Sequence, residues 1–166
     1  MEYLYVSSIG QDSHRFVKSP LPERPLRLGG VTIPEAPALE GNSDADVLLH
    51  AVTNAVSGLT GVNVLGETAD RMCREQGITD STAYLAKAME SLGDIEPTHL
   101  SVSVEAQRPR LAEHVPAIRR RLAELTGLSV ESIGLTATSG EGLTDFGRGF
   151  GIQVLCILSA RKPVRS

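Results

Sequence analysis

Apolar residues recur along the chain with two different periods, and each switch between them marks a new element. The stretch "EYLYVSSIG" (2–10) is rich in aromatic and β-branched residues, the composition of a strand. In "LRLGGVTIP" (26–34), Gly29-Gly30 lies between two short apolar runs and predicts a hairpin with a two-residue turn. From residue 44 the period lengthens. Val47, Leu48, Ala51, Val52, Ala55 and Val56 fall at helical spacing in "DADVLLHAVTNAVSGLTG" (44–61). Asn42 or Ser43 is expected to cap this helix, with Asp44 and Asp46 in its first turn, where the helix dipole favours acids. A second helix is expected over 80–93. Alternation returns in "THLSVSVEAQ" (98–107), as a half-buried strand requires. A third helix follows over 111–127, with Pro116 early and Gly127 as its stop. Strands are expected at "SIGLTATS" (132–139) and "GIQVLCILSARK" (151–162). The polar, proline-bearing stretches 18–25 and 35–44 read as loops. With no repeat or linker, the pattern predicts one α+β domain over 1–166, a mixed β-sheet with helices on one face.

Composition narrows the functional classes. A chain of 166 residues can bury a substantial core, and with aromatic residues at only 4% that core must come from Val, Leu, Ile and Ala. The formal charge is −4 and no long basic run is present, so a nucleic-acid partner is not expected. The cluster Arg119-Arg120-Arg121 sits in a helical pattern and reads as a solvated face. No apolar stretch approaches the length of a membrane span. "MEYLYVSSIG" lacks the basic start and apolar run of a leader, and the expected compartment is a reducing cytoplasm. Cys73 and Cys156 are far apart and in no metal-binding spacing; Cys156, inside "GIQVLCIL", is expected to be a small buried hydrophobe.

Candidate chemistry begins where the first strand ends, at Asp12-Ser13-His14, and continues at His50, one helical turn after Asp46. Two imidazoles and a carboxylate are ligand types that Zn²⁺ accepts, and three protein ligands with an open fourth position mark catalytic rather than structural zinc. Taken singly, a histidine on a helix is more often a packing or surface residue than a ligand, so the flanking motifs decide.

Those motifs resemble, in order, the 2-C-methyl-D-erythritol 2,4-cyclodiphosphate synthase family of the non-mevalonate isoprenoid pathway. "GQDSHRF" is similar to the family's metal loop, "LRLGGVTIP" to the hairpin after it, and "NSDADVLLHAVTNA" to the helix bringing the last metal ligand. "EAQRPRLAEHVPAIR" resembles its cytidine-binding segment and "TATSGEGLTDFGRGFGI" its phosphate-binding and trimer-axis segment. The resemblance implies Zn²⁺ on Asp12, His14 and His50, and a second divalent cation, Mg²⁺ or Mn²⁺, on Glu141 with the substrate diphosphate. It implies that Ala106, Gln107, Arg108, Pro109 and Arg110 form a cytosine pocket, largely through backbone groups. Thr138 and Ser139 would hold the diphosphate, Asn42 and Ser43 would also contact substrate, and Ser139 and Glu141 would stand among the catalytic groups. Arg148 would lie near the axis of a homotrimer whose three sites sit at subunit boundaries. The implied reaction is that of a phosphorus–oxygen lyase, the metal-dependent cyclisation of a CDP-linked polyol phosphate with release of CMP.

Several departures from the family gather between residues 42 and 64, and others lie further along the chain. Asn42 stands for a His, Asn54 and Val64 each for an Asp, Thr136 for a Lys, Arg110 for a Lys and Phe150 for a Glu. The Asp at the Val64 position binds polyol hydroxyls, and losing that acceptor costs about 1–3 kcal/mol per unpaired hydroxyl. Weak turnover of CDP-methylerythritol phosphate is therefore expected, with Val64→Asp expected to raise it. Three readings stay open: the family reaction, the same chemistry on a different CDP-polyol in a specialised pathway, and a non-catalytic trimeric paralogue that binds cytidine nucleotide or metal.

Overall fold

The structure, a computed structural model, describes residues 2–19, 24–34 and 36–164. Residues 20–23 of the expected first loop, and residue 35 at the start of the second, lie outside the described residues. Among the described residues the elements run β1 (Tyr3–Arg15), β2 (Leu26–Leu28), β3 (Val31–Ile33), α1 (Val47–Thr60), α2 (Glu67–Gln76) and α3 (Ser81–Met89). They continue with β4 (Glu96–Glu105), α4 (Val115–Thr126), β5 (Ile133–Thr138) and β6 (Gly151–Pro163).

The main sheet has the order β1-β6-β4-β5. β6 is antiparallel to both β1 and β4, while β4 and β5 are parallel, so the sheet is mixed. A parallel pair cannot be joined by a tight turn, and α4 is the crossover between β4 and β5. The helices cover one face: α1 lies on β1 and β6, and α4 lies against β5. Leu100, Val102 and Val104 of β4 and Ile152, Val154, Cys156 and Leu158 of β6 point into that layer and are buried. On the opposite face Tyr5, Ile9, Leu155 and Ile157 are exposed.

Gly10 sets the approach of α1 to the sheet. A β-carbon there would lie 2.7 Å from the Ala55 amide nitrogen and 2.9 Å from its Cβ, so only glycine lets the helix rest on the strand at this point. The β2–β3 hairpin turns on Gly29 and Gly30, both at positive φ (62° and 75°), as a type I′ turn requires.

Four expectations are corrected. β1 runs five residues further than the composition suggested, because residues 11–15 pair in register with 151–155 of β6. Neither Asn42 nor Ser43 caps α1; the cap is Asp46, whose carboxylate accepts the Leu49 amide at 3.0 Å. The same fully buried carboxylate accepts the amides of Gly29 (2.9 Å) and Gly30 (2.7 Å), fastening the hairpin to the helix start. Helix α2 was not anticipated, because Ala69 is its one buried residue and half of its positions are charged. Its own signals are Glu67 and Asp70 in the first turn and left-handed Gly77 as the stop. Arg119 is not simply solvated: it donates to the carbonyls of Ile133 and Val130, each at 2.7 Å, and ties α4 to the start of β5.

Both cysteines are free, and Cys156 lies in the core as expected. Cys156 is buried, and that burial pushes its thiol up to about 12, well out of reach of physiological ionisation.

Candidate active site

In a strand alternate residues share a face, so Asp12 and His14 point to the same side as Gly10, towards α1. Gly10 allows α1 to lie close, and the first turn of α1 carries His50, whose amide donates to the Asp46 carbonyl at 2.9 Å. Strand and helix thereby converge. His14 Nε2 lies 2.9 Å from Asp12 Oδ2, His50 Nδ1 lies 3.0 Å from the same oxygen, and the two nitrogens are 3.3 Å apart. Among the described residues this is the one cluster of three such ligand atoms, all within 4.8 Å of one another.

These spacings fit a small metal ion. Ligand atoms about 2.0–2.2 Å from a tetrahedral centre are separated by about 3.3–3.6 Å along each edge, close to the His14–His50 spacing. The nitrogens also face the right way. His14 Nδ1 lies 2.7 Å from the Glu40 carbonyl, which can only accept, so this nitrogen carries the proton and Nε2 is left bare. His50 Nε2 lies 2.9 Å from Ser81 Oγ, leaving Nδ1 for the cluster. Outward hydrogen bonds of this kind orient histidines as ligands.

Charge is arranged to match. Burial pushes Asp12 up, but hydrogen bonds from His14 and His50 and their charges outweigh it and hold the carboxyl far below the usual carboxylate range. For His14, burial pulls the imidazole down, while its bond to Asp12, the carboxylate charge and the Glu40 carbonyl lift it above its ordinary value. A carboxylate that stays ionised beside two imidazoles is a donor set for a borderline dication.

The cluster opens into a cleft of about 530 Å³. Asn42 and Ser43 line it, as do Asn54 of α1 and Asp70 and Cys73 of α2. Helix α2 is thus the facing wall, and Asp70 is an acid on it that the sequence comparison did not single out. Val64, by contrast, is buried in the core (2% exposed) and does not line the cleft. The expectation that an acid at position 64 would restore a polyol contact is therefore corrected: a carboxylate there would enter the core. Tyr84 closes the base of the cleft and donates to the Ile78 carbonyl at 2.6 Å. Burial, helped by Cys73 and the charges of Asp44 and Asp70, pushes its phenol up to about 12, so it stays protonated.

The remaining expected residues lie elsewhere in the chain. Ala106, Gln107, Arg108, Pro109 and Arg110 follow β4, and Thr138, Ser139 and Glu141 follow β5. Among the described residues none of these, nor Arg148, lines the cleft of the histidines. The Ala106 amide donates to the Thr138 carbonyl at 3.0 Å and the Gln107 amide to that of Phe146 at 3.1 Å. Both amides are spent on joining the two segments. Glu141 is exposed and held at positive φ (49°) in a short turn. Arg148 is exposed and pairs with Asp145 at 3.3 Å.

Comparison with known proteins agrees with this geometry. A model of the YgbB family matches residues 5–161. A protein of Chlamydia trachomatis serovar A named 2-C-methyl-D-erythritol 2,4-cyclodiphosphate synthase is 44% identical over 165 residues, covering 99% of this chain and 92% of its own. The protein of that name from Chlamydia abortus is 42% identical over 159 residues, 95% of this chain and 90% of its own. Among solved structures, a bifunctional IspDF protein of Campylobacter jejuni superposes with a TM-score of 0.86 at 28% identity, over 98% of this chain and 43% of that one. A 2C-methyl-D-erythritol-2,4-cyclodiphosphate synthase in its CDP-bound form superposes with a TM-score of 0.82 at 27% identity, over 93% and 99% of the two chains.

Proposed function

The chain belongs to the YgbB family, and from that premise we propose that it is a phosphorus–oxygen lyase converting a CDP-linked methylerythritol phosphate into a cyclic diphosphate with release of CMP. The observation that carries this reading is the convergence of Asp12 Oδ2, His14 Nε2 and His50 Nδ1 at the base of a cleft large enough for a phosphorylated alcohol.

The reaction needs no protein nucleophile. An oxygen of the substrate's terminal phosphate forms a bond to the diphosphate phosphorus farther from the cytidine, the bond from that phosphorus to the bridging oxygen breaks so that CMP leaves with it, and the ring closes. Asp12, His14 and His50 would hold Zn²⁺, which supplies positive charge to phosphate oxygens that otherwise repel one another. The chain's own task is positional. Asn42 and Ser43 on the rim and α2 opposite confine the alcohol end of the substrate and keep bulk water from competing with the phosphate. Thr138 and Ser139 offer hydroxyls to the diphosphate, Glu141 would hold Mg²⁺ or Mn²⁺ beside it, and the 106–110 loop would take the cytosine. Bringing the two ends of one flexible molecule together removes an entropic barrier that can reach several kcal/mol.

Assembly as a homotrimer is supported by the uncovered sheet face, where Tyr5, Ile9, Leu155 and Ile157 form an exposed apolar surface. Incubating the purified protein with CDP-methylerythritol phosphate and Zn²⁺ plus Mg²⁺ tests the reading directly. CMP and a cyclic diphosphate are expected in equal amounts, and no CMP from metal-loaded protein would overturn it. Turnover of another CDP-linked alcohol is a second reading, favoured by the α2 wall with Asp70. A higher kcat/KM for that alcohol would decide for it.

A further inference from the structure

His50 is held by a proton relay that the reaction itself does not use. Its Nε2 lies 2.9 Å from Ser81 Oγ, at the first residue of α3, and Ser81 is fully buried. The Ser81 hydroxyl donates to Asp44 Oδ1 through a short bond, and the Ser81 amide donates to Asp44 Oδ2 at 3.1 Å. Asp44 is fixed in turn, its own amide donating to the Thr79 carbonyl at 2.8 Å.

Counting protons makes this relay directional. An ionised carboxylate only accepts, and a serine hydroxyl has one proton to give. With that proton on Asp44, Ser81 Oγ can only accept from the imidazole. Ser81 thereby favours the His50 proton on Nε2, against the pull of the Asp12 carboxylate 3.0 Å from Nδ1, and frees the Nδ1 lone pair for the cluster. Were the hydroxyl proton free, Ser81 could donate to Nε2 instead. The ring proton would move to Nδ1, into the space where three ligand atoms converge.

We infer that Asp44 and Ser81 are positioning residues that lock His50 in its metal-ready tautomer. Neither lines the cleft among the described residues, so both act through His50 and not on substrate. The inference rests on the metal reading above. It adds that metal affinity is set by the Asp44 carboxylate ahead of α1, acting through Ser81 at the start of α3, and that neither touches metal or substrate.

Asp44→Asn tests the relay with little change of shape. An asparagine that keeps the Ser81 amide bond must turn its NH₂ towards Oγ, which releases the hydroxyl proton for His50. Long-range ¹H–¹⁵N NMR of the metal-free protein should show His50 with its proton on Nε2, and Asp44→Asn should move population to the Nδ1–H form. Zn²⁺ affinity, measured by competition with a chromophoric chelator, should fall about 10–100-fold in Asp44→Asn and in Ser81→Ala. The double variant should be no worse than the weaker single, because both act through one relay. A wild-type His50 protonated on Nδ1 would overturn the relay, and so would Asp44→Asn with unchanged tautomer and affinity. The wild-type spectrum alone decides should the variants not fold. Wild-type protein that binds neither Zn²⁺ nor Co²⁺ while showing the expected tautomer would overturn the metal reading instead.

Discussion

Replacing Asp46 by alanine deletes one carboxylate and leaves three backbone amides without an acceptor. Leu49 loses its cap, which costs about 1 kcal/mol. The Gly29 amide is buried and would stay unpaired, at about 1–3 kcal/mol. The Gly30 amide is part-buried and adds about 1 kcal/mol. Burial pushes the Asp46 carboxyl up, with the three amides pulling it back, so its removal also relieves a desolvation cost. The expected loss is therefore at the low end of the sum, about 3 kcal/mol, a large share of the stability of a domain this size. Asp46→Asn keeps one oxygen for Gly29 and Leu49 but turns an NH₂ towards the Gly30 amide, so it should cost less, about 1–2 kcal/mol. Urea unfolding followed by circular dichroism measures both, with an unchanged m-value as the control. An Asp46→Ala protein within about 1 kcal/mol of the parent, or one more stable than Asp46→Asn, would refute the reasoning that this carboxylate fastens the hairpin to α1.

Three further outcomes are expected. Val64→Asp should destabilise by about 2–4 kcal/mol and leave CMP release no higher, because position 64 is in the core; an unchanged melting temperature would place that side chain in the cleft after all. In metal-free protein the folded pKa of His14 lies above its ordinary 6.5 and that of Asp12 below its ordinary 3.8. The His14 contribution is thus complete below pH 6.5 and fades as pH rises through the folded value, while that of Asp12 is complete above pH 3.8 and fades as pH falls through its own. Melting temperature in a chelator should peak between about pH 4 and 6.5, and Zn²⁺ should stabilise increasingly above that window, where protons no longer compete for His14; a flat chelator profile would contradict the ion-pair geometry. Ile157→Glu, on the exposed sheet face opposite Ile9, should reduce the light-scattering mass from about three times 17.7 kDa to the single-chain value and abolish CMP release; a wild-type monomer would end the assembly claim.

How far the sequence disclosed this fold depended on burial. Strands β4 and β6 and helix α1 were legible because one face of each is packed, so hydrophobic period and structure agree. Helix α2 was not, because it rests on the domain through little more than Ala69 and Met72, too few apolar positions to show a period. The Asp46 cap was hidden for another reason. Asn42, Ser43, Asp44 and Asp46 are all good capping types, and only the position of the hairpin, brought in from residues 29 and 30, selects among them. The Ser81–Asp44 relay is of the same kind: residues 37 apart in sequence, joined only once α3 has docked beside α1.

The metal ligands were legible as a motif, but the relation between the two halves of the site was not, because it depends on strand order. Asp12 and His14 end β1 at one edge of the sheet, and Thr138 ends β5 at the other, with β6 and β4 between them. Three strand spacings of about 4.8 Å separate these edges by about 14 Å. The segment after β5 returns part of the way, since Gln107 donates to Phe146 and Phe16 to Phe150. Thr138, Ser139 and Glu141 nevertheless stay outside the cleft of the histidines. One substrate cannot have its phosphates held by both groups unless something shortens that distance. All four strand ends concerned lie at the same end of the sheet, so a second copy that set its β5 end beside this chain's β1 end would do so without any change of fold. On this geometry the triad should bind metal in an isolated chain, whereas catalysis should require the assembled one. A monomeric Ile157→Glu protein that keeps Zn²⁺ affinity but releases no CMP is the signature of that division, and a monomer with full turnover would show that one chain holds the whole site.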